Sequence, residues 1–312
     1  MGEDLASAAD PIALFNLGNR LWRTGNPAEA ARTYEQALAL GFTHARLNLG
    51  NVYLCLGRDA EGWRLYQARD ERRNSLANRL GFPEWQGEPL DGKRLFIWVE
   101  QGLGDQIFAA RFVPLVRAAQ VTLVTWPELA PLFQGFPATI VPRTDPVSVS
   151  PEFDYWTLPL SLPQWVSPVP CPYLSAQPRP SGGRIGVMWK GNDRPDPNRS
   201  LPASLAQRLL DLPGAISLQP EDTGVRDFRE TAEIVAGLDC VVTIDTSVAH
   251  LTGALGKPGF VLLQKDQADW RWREAAPGVA AWYPSLRLIR QPSQGDWHGA
   301  IDAVLAALDG AI

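Results

Sequence analysis

The sequence contains little of what metal centres, disulfide frameworks and membrane spans require. Of its 312 residues only three are histidine and three are cysteine, and Cys55, Cys171 and Cys240 have no metal-ligand spacing. Such isolated thiols are typical of a reduced protein without disulfides. No apolar run approaches the ~20 residues that span a membrane, and the acidic start is unlike a signal peptide. We therefore expect a cytoplasmic protein with no membrane span and no metal site.

Charge of one sign is not concentrated anywhere in the chain. The 29 basic and 34 acidic side chains are interspersed and give a net charge of −5. Because there is no basic block or stripe, we expect no nucleic-acid partner. The hydrophobic fraction of 45% is sufficient for a buried core.

An internal repeat opens the chain. Residues 15–38 (FNLGNRLWRTGNPAEAARTYEQAL) align with residues 47–70 (LNLGNVYLCLGRDAEGWRLYQARD) at a constant offset of 32. Each unit has two helical patterns separated by a turn at Gly25 or Gly57. The repeat resembles the tetratricopeptide repeat, whose usual period is ~34 residues. Because stacked repeats need capped ends, we expect residues 71–90 to carry a further helix that docks the repeats on the rest of the chain.

Beyond the repeats, short apolar runs alternate with helical patterns, including predicted helices at 105–119 and 127–134. This alternation predicts an α/β fold of parallel strands and crossover helices, in two halves on either side of a proline-rich segment. Ligands bind at the carboxyl ends of such strands, so we expect a cleft between the halves. The predicted organisation is repeats over 1–90, an N-terminal Rossmann-like domain over 91–166, a linker over 167–182 and a C-terminal Rossmann-like domain over 183–312.

The segment VEQGLGDQIFAARF (99–112) predicts a strand that enters a helix through a glycine turn. Gly102 and Gly104 match the first two glycines of a dinucleotide fingerprint, but the third position is Ile107. Asp105 would also repel a pyrophosphate at this helix end, so we reject a dinucleotide site. A carboxylate at the carboxyl end of a strand suits a general base; an ordinary residue of the first helical turn is the alternative.

A second cluster lies in TIDTSVAHLTGALGKP (243–258). An apolar strand ends at Asp245, and Thr246 and Ser247 begin a helix. The first N–H groups of such a helix, together with two hydroxyls, bind phosphate. His250 lies one turn further on the same face and can donate to a phosphate oxygen. The alternative is a capped core helix whose histidine is satisfied internally.

A third cluster, VMWKGNDRPDPNRSLP (187–202), places cations after a strand. Lys190, Arg194 and Arg199 lie in a loop rich in Pro, Asp and Asn. Cations at this end of a strand would face the predicted cleft and stabilise a departing diphosphate. A solvated, charge-rich loop is the alternative.

Together these motifs resemble one family. DTSVAHLTGALGKP (245–258) is similar to the DTG-x-x-H-L motif of the heptosyltransferase-like glycosyltransferases, family nine in the usual classification, and LGDQIF (103–108) is similar to that family's N-terminal GD motif. Other segments resemble a bacterial branch that fuses tetratricopeptide repeats to such a module: EQGLGD, WKGN, NRSLP, SLQ, DWRW, WYPSLRLIRQ and GDW.

The resemblance implies a GT-B fold, a pair of Rossmann-type parallel-sheet domains, and metal-independent, inverting transfer of a sugar from a nucleotide-sugar substrate, with no further cofactor. It implies that Asp105 is the catalytic base. The implied donor-binding residues are Lys190, Asp245, Thr246, Ser247 and His250. We also expect the donor to be contacted by Gly104, Asn192, Arg199 and Gln219. Ser247 departs from the family, which usually has Gly there, so the hydroxyl either adds a donor or shifts the phosphate.

The acceptor is less defined than the donor. The repeats favour an acceptor protein such as flagellin, by analogy with fused relatives. Transfer to lipopolysaccharide or another glycan is one alternative, and a non-catalytic adaptor with a vestigial transferase module is another. Trp189, Trp270 and Trp272 either stack on the base or sugar or belong to the core.

Overall fold

The computed structural model describes residues 10–144, 152–192, 196–266 and 269–309. The chain divides into two compact units, the first made of Met1–Arg73 and Asp266–Arg273 and the second of Asn74–Lys265 and Glu274–Ile312. Within the described ranges, no helix is both long and apolar enough to cross a membrane.

The first unit contains two helical pairs: α1 (Pro11–Arg23), α2 (Pro27–Ala39), α3 (Ala45–Cys55) and α4 (Asp59–Tyr66). The turn residues Gly25 and Gly57 adopt φ angles of 74° and 75°, which glycine tolerates best. A Cβ on Gly18 would lie 2.6 Å from the ring of Tyr34, so the first pair packs only because this position has no side chain. The predicted helix-turn-helix repeats are confirmed.

The end of the array is closed by a segment from much later in the chain. Residues 71–90 do not contain the predicted further helix; the described elements there are the four-residue α5 (Asp70–Arg73) and a 3-10 turn at Leu76–Arg79. Residues Asp266–Arg273, which we call the strap, belong to the repeat unit instead. The strap residue Trp270 contacts Trp63 edge-to-face, with ring centroids 5.0 Å apart.

A second strap residue is held by charge. The Arg273 guanidinium donates to both carboxylate oxygens of Asp59, and its Nη1 donates to the carbonyl of Leu54 at 2.9 Å. This fork-shaped pairing fixes direction as well as distance. The strap therefore packs on α3 and α4 through an aromatic contact and an ion pair.

The second unit begins with a four-stranded parallel sheet in the order β3-β2-β1-β4. Its strands are β1 (Arg94–Ile97), β2 (Gln120–Thr125), β3 (Thr139–Pro142) and β4 (Tyr155–Thr157). Glu84 extends the edge by a parallel bridge to Trp156.

The helix after β1 is shorter than predicted. Helix α6 covers Leu103–Ala110 and a 3-10 turn follows at Val113–Leu115, because the ring of Pro114 would meet the carbonyl of Ala110 in a continuing helix. The predicted helix at 127–134 is wrong: the segment forms consecutive turns. Pro131 lacks the N–H that an α-helix would use there.

The larger sheet has seven strands in the order β6-β5-β7-β8-β11-β10-β9. The five parallel strands are β5 (Ile185–Met188), β6 (Ala215–Ser217), β7 (Cys240–Ile244), β8 (Gly259–Leu263) and β11 (Leu286–Arg290). An antiparallel extension that the sequence did not predict consists of β9 (Glu274–Ala276) and β10 (Val279–Ala280). The accompanying helices are α7 (Ala203–Leu210), α8 (Pro220–Thr223), α9 (Phe228–Gly237), α10 (Ser247–Ala254) and α11 (Trp297–Asp309).

Each sheet has a point where the chain leaves one strand to add neighbours first on one side and then on the other. Strand β1 lies between β2 and β4, and strand β5 lies between β6 and β7. Open α/β sheets bind ligands at the carboxyl ends of strands beside such a point. The loops at these positions are those that carry the three sequence clusters. The predicted α/β class, with two parallel sheets preceded by helical repeats, is confirmed.

Candidate functional site

The first part of the site is the turn between β1 and α6. Gln101 has a φ of 55°, a left-handed conformation that is uncommon for a residue with a side chain. Gly102 precedes the helix, and its N–H donates to Oδ2 of Asp105 at 3.1 Å. Asp105 therefore makes the local contact expected of a residue in the first helical turn, where it lies half-buried.

Helix α6 begins directly against the start of α10. A Cβ on Gly104 would lie 2.6 Å from Cδ2 and 3.3 Å from Nε2 of His250, and 3.4 Å from Cα of Ser247. Only glycine permits this approach. The contact brings the Asp105 turn and the 245–250 cluster together, although they are far apart in sequence.

The start of α10 differs from an ordinary capped helix. Thr246 occupies the N-cap position, but its side chain makes no hydrogen bond to the first turn. Its Oγ1 lies 3.3 Å from Oγ1 of Thr243 instead. By contrast, Asp227 at the start of α9 accepts from Arg229 N and Glu230 N. The Thr246 side chain therefore does not cap α10, and an anion site is compatible with this helix start.

His250 is satisfied inside the protein, as in the core-helix interpretation, and it also lies at the start of α10, as in the phosphate-site interpretation. The residue is 4% exposed, and its Nδ1 lies 2.9 Å from the hydroxyl of Tyr283. This contact satisfies one ring nitrogen inside the protein. The opposite edge of the ring, with Nε2, lies beside Gly104 and Ser247.

Arg199 connects the loops that follow β5 and β7. Its Nη1 donates to the carbonyl of Asp245 at 3.3 Å, and its Nη2 donates to the carbonyl of Asn192 at 2.9 Å. A Cβ on Gly191 would lie 3.2 Å from both Arg199 Nε and Thr246 Cγ2. The guanidinium thus lies beside the residue that precedes α10.

Two further predicted residues meet at the same edge of the sheet. Gln219 is 3% exposed, and its Nε2 donates to the backbone carbonyl of Lys190 at 3.4 Å. The side chains of Lys190 and Asn192 are exposed. Arg194 lies outside the described residues.

Residues behind His250 were not singled out from the sequence. Arg111 is 2% exposed, and its guanidinium carbon lies 4.7 Å from the ring centroid of Tyr173 and 4.6 Å from that of Tyr283. It donates to the carbonyls of Phe108 and Trp282 at 3.1 and 3.0 Å. The only signal for Tyr283 was its place in the segment WYPSLRLIRQ, which carried part of the family resemblance.

Burial keeps the two tyrosines of this cluster neutral. It raises the pKa of Tyr283 well above its ordinary value, and burial also raises the pKa of Tyr173. Both side chains therefore retain their hydroxyl protons around neutral pH and can act as hydrogen-bond donors.

The three tryptophans that were candidates for stacking on the base or sugar all pack, at least in part, against the protein core. Trp270 and Trp272 are 2% and 0% exposed and belong to the repeat unit, so they are core residues. Trp189 packs partly against the core of the larger sheet. Among the residues that the structure describes, no three His, Cys, Asp or Glu side chains form a group that could hold a metal ion.

Comparison with known proteins identifies the N-terminal helices. The tetratricopeptide repeat family matches residues 11–44. The curated relative Protein FlbA of Caulobacter vibrioides is 27% identical over an alignment of 323 positions that covers 82% of this chain and 53% of FlbA. The chain thus spans about half the length of this relative.

Three solved structures are similar at low sequence identity. The glycosyl transferase family 9 from Veillonella parvula is 11% identical with a TM-score of 0.46, covering 72% of this chain and 98% of that one. The E. coli heptosyltransferase WaaC with ADP is 12% identical with a TM-score of 0.44, covering 70% and 100%. The iron-containing dodecameric glycosyltransferase TibC from enterotoxigenic E. coli is 11% identical with a TM-score of 0.44, covering 70% and 77%. The chain therefore carries a tetratricopeptide repeat at residues 11–44 and is similar to FlbA and, in structure, to these glycosyltransferases.

Proposed function

We propose that this chain is an inverting, metal-independent glycosyltransferase that moves a sugar from a nucleotide-sugar to an acceptor hydroxyl. The observation that carries the proposal is the contact of Gly104 with His250 and Ser247. It sets the turn with the candidate base against a helix start suited to phosphate. The motif resemblance supports the same assignment independently of this geometry.

In the proposed reaction, Asp105 removes the proton of the acceptor hydroxyl while that oxygen bonds to the anomeric carbon. The bond from the anomeric carbon to the diphosphate breaks on the opposite face, and the diphosphate leaves with the electron pair. The first N–H groups of α10, with Lys190 and Arg199, stabilise the charge that develops on the leaving group. Asn192 and Gln219 are the candidates for contacting the nucleotide.

We infer that the acceptor is a protein docked through the repeats, for which flagellin is one candidate. The tetratricopeptide match supports a protein-binding role for residues 11–44. The cytoplasm remains the predicted location. Since the chain spans only part of FlbA, the activity of the full-length relative lies outside this assignment.

The test is a thermal-shift screen of nucleotide-sugars, followed by a transfer assay with and without EDTA. A ligand at about a hundredfold excess over its Kd stabilises the folded state by about 2.7 kcal/mol, which raises Tm by several degrees. We expect one nucleotide-sugar to raise Tm, the product to have inverted anomeric configuration by NMR, and EDTA to leave turnover unchanged. If no nucleotide-sugar raises Tm, the transferase proposal fails. If one binds and its sugar is neither transferred nor hydrolysed, the adaptor alternative replaces it.

A further inference from the structure

The loop between β1 and α6 is held by side chains at the end of the neighbouring strand β2. The indole Nε1 of Trp126, the residue that follows β2, donates to the backbone carbonyl of Gln101 at 2.9 Å. Thr125, the last residue of β2, donates to Oε1 of Gln106 on α6 at 2.5 Å, and Nε2 of Gln106 donates to the carbonyl of Glu100 at 3.4 Å. Two successive carbonyls of the loop therefore accept from side chains.

One of these contacts reaches the candidate base through a single peptide group. The carbonyl of Gln101 and the N–H of Gly102 belong to the same planar unit, so neither can turn without the other. The oxygen of this unit accepts from Nε1 of Trp126, and its N–H donates to Oδ2 of Asp105 at 3.1 Å. The orientation that Trp126 gives to the peptide is therefore the one in which the peptide bonds to Asp105.

Gln101 has a backbone conformation that needs such support. Its φ of 55° lies in the left-handed region, which is less stable for a residue with a Cβ than for glycine. A return to an ordinary negative φ would move the carbonyl of Gln101, and with it the N–H of Gly102. The bond from Trp126 opposes this change, because the carbonyl would move away from its indole donor.

The ring of Trp126 is itself fixed by its surroundings. The guanidinium carbon of Arg143, which follows β3, lies 4.9 Å from the centroid of the ring. The indole also packs in part against the core cluster of the smaller sheet, which contains Phe96 and Trp98. A donor on such a ring has little freedom to follow a moving carbonyl, so it specifies one position of the loop.

We propose that Trp126 is a positioning residue for sugar transfer, which holds the left-handed turn at Gln101 and thereby the carboxylate of Asp105. The inference rests on the proposed function, because it assumes that Asp105 is the base. It gives Trp126 a role in the orientation of the base and none in the binding of the donor.

Trp126→Phe removes the indole N–H and keeps an aromatic ring. Since a misplacement of about 1 Å can cost about 10²-fold in rate, we expect kcat to fall about tenfold to hundredfold. Turnover is followed as release of nucleoside diphosphate from the nucleotide-sugar that raises Tm in the thermal-shift screen. Calorimetry with ADP, UDP, GDP and CDP should show that the Kd of the variant stays within about twofold of wild type.

A second change distinguishes positioning from a general loss of packing. Glycine adopts a φ of 55° without strain, so Gln101→Gly should make the turn independent of Trp126. With Gln101→Gly already present, Trp126→Phe should lower kcat by less than about twofold. Gln101→Ala is the matched control, because it shortens the same side chain but keeps a Cβ, and it should not restore kcat.

The same coupling can be measured without any substrate. Loss of the Trp126 bond should lower Tm by about 2–4 °C in the wild-type background and by less when Gln101→Gly is present. Trp85→Phe removes a similar bond in the same unit, since Nε1 of Trp85 donates to the carbonyl of Glu88 at 2.8 Å. It should lower Tm equally in both backgrounds and leave kcat close to wild type.

Wild-type kcat in Trp126→Phe would overturn the inference, as would a loss that Gln101→Gly does not restore or that Gln101→Ala restores equally. Should Trp126→Phe not fold, the double variant with Gln101→Gly must fold and turn over, and its failure would also overturn the inference. If the wild-type protein releases no nucleoside diphosphate from any donor, the proposed function fails. The Tm comparison then still decides whether Trp126 holds the turn at Gln101.

Discussion

At the scale of single residues, Asp105 combines a local structural contact with the proposed chemistry. Its Oδ2 accepts from the N–H of Gly102, and the helix dipole stabilises a carboxylate in the first turn. A carboxylate has two oxygens with several acceptor positions, so this contact leaves capacity for an acceptor hydroxyl. The two interpretations of Asp105 are therefore compatible.

Asp105→Asn separates the two roles. The amide oxygen can still accept from Gly102, whereas the side chain can no longer take a proton. We expect the transfer rate to fall about 10²–10⁴-fold, with Tm and the Kd for nucleoside diphosphates close to wild type. Asp302→Asn, which alters an exposed carboxylate on α11, is the control. Unchanged turnover in Asp105→Asn would remove the base assignment.

Which residues could be predicted depends on how far apart their partners lie in the chain. Asp105, Thr246 and His250 lie in short motifs at the ends of apolar strands, so position alone pointed to them. Arg111 could not be found this way, because its contacts reach Tyr173 and Trp282, which are 62 and 171 residues away. A buried cation held by carbonyls and aromatic rings also leaves no carboxylate partner to search for.

At the scale of elements, the site is built from two helix starts in contact. Helices α6 and α10 both have eight residues; the N-cap of α6 is Gly102, which has no side chain, and the Thr246 side chain makes no cap bond to α10. Helix N-termini carry partial positive charge, so bringing two together is unfavourable unless negative charge lies nearby. The Asp105 carboxylate in the first turn of α6 supplies such a charge at this junction.

Gly104→Ala tests this pairing. The added methyl would overlap the ring of His250, so one helix start must move. Since a misplacement of about 1 Å can cost about 10²-fold in rate, we expect strongly reduced transfer and weaker diphosphate binding. Gly102→Ala is the matched comparison, because its methyl meets nothing closer than 3.4 Å, and it should retain most of the affinity. Equal behaviour of the two variants would contradict the role given to the close approach.

The elements were predictable where their patterns were long. Apolar runs located the four strands of the smaller sheet and the parallel strands β5 to β8 of the larger one, whereas β11 was not predicted. Helical patterns at 203–211, 229–237 and 297–309 located α7, α9 and α11. The strands β9 and β10 have three and two residues, too few for a period to show. Residues 127–134 have the apolar spacing of a helix, but Pro131 lacks the N–H that a helix needs there, and the segment forms turns.

At the scale of the whole molecule, the repeat unit is made from two distant parts of the sequence. The strap contributes Trp270 to the aromatic cluster of the second repeat and Arg273 to Asp59. The sequence predicted a cap from the segment that directly follows the repeats, as in a continuous array. Nothing local in DWRW indicates that it packs on helices more than 200 residues earlier.

Trp270→Ala should destabilise the repeat unit by about 3–5 kcal/mol, as large-to-small changes of a buried tryptophan do. The measurement is hydrogen exchange of the α3 and α4 amides, which reports on that unit separately. Leu40→Ala, at a residue 49% exposed in the same unit, should change stability by less than about 0.5 kcal/mol. Equal protection in both variants would show that the strap does not stabilise the repeats.

The strap also sets an order of events during synthesis. Trp63 and Tyr66 meet Trp270 only after the strap, more than 200 residues further along the chain, has been made. Domains usually fold as they emerge, from the N-terminus onward. Here the repeat helices are completed by a segment that is translated much later, so they lack their aromatic partner until then. A fragment that ends before residue 266 would keep every repeat helix and still lack a finished repeat unit.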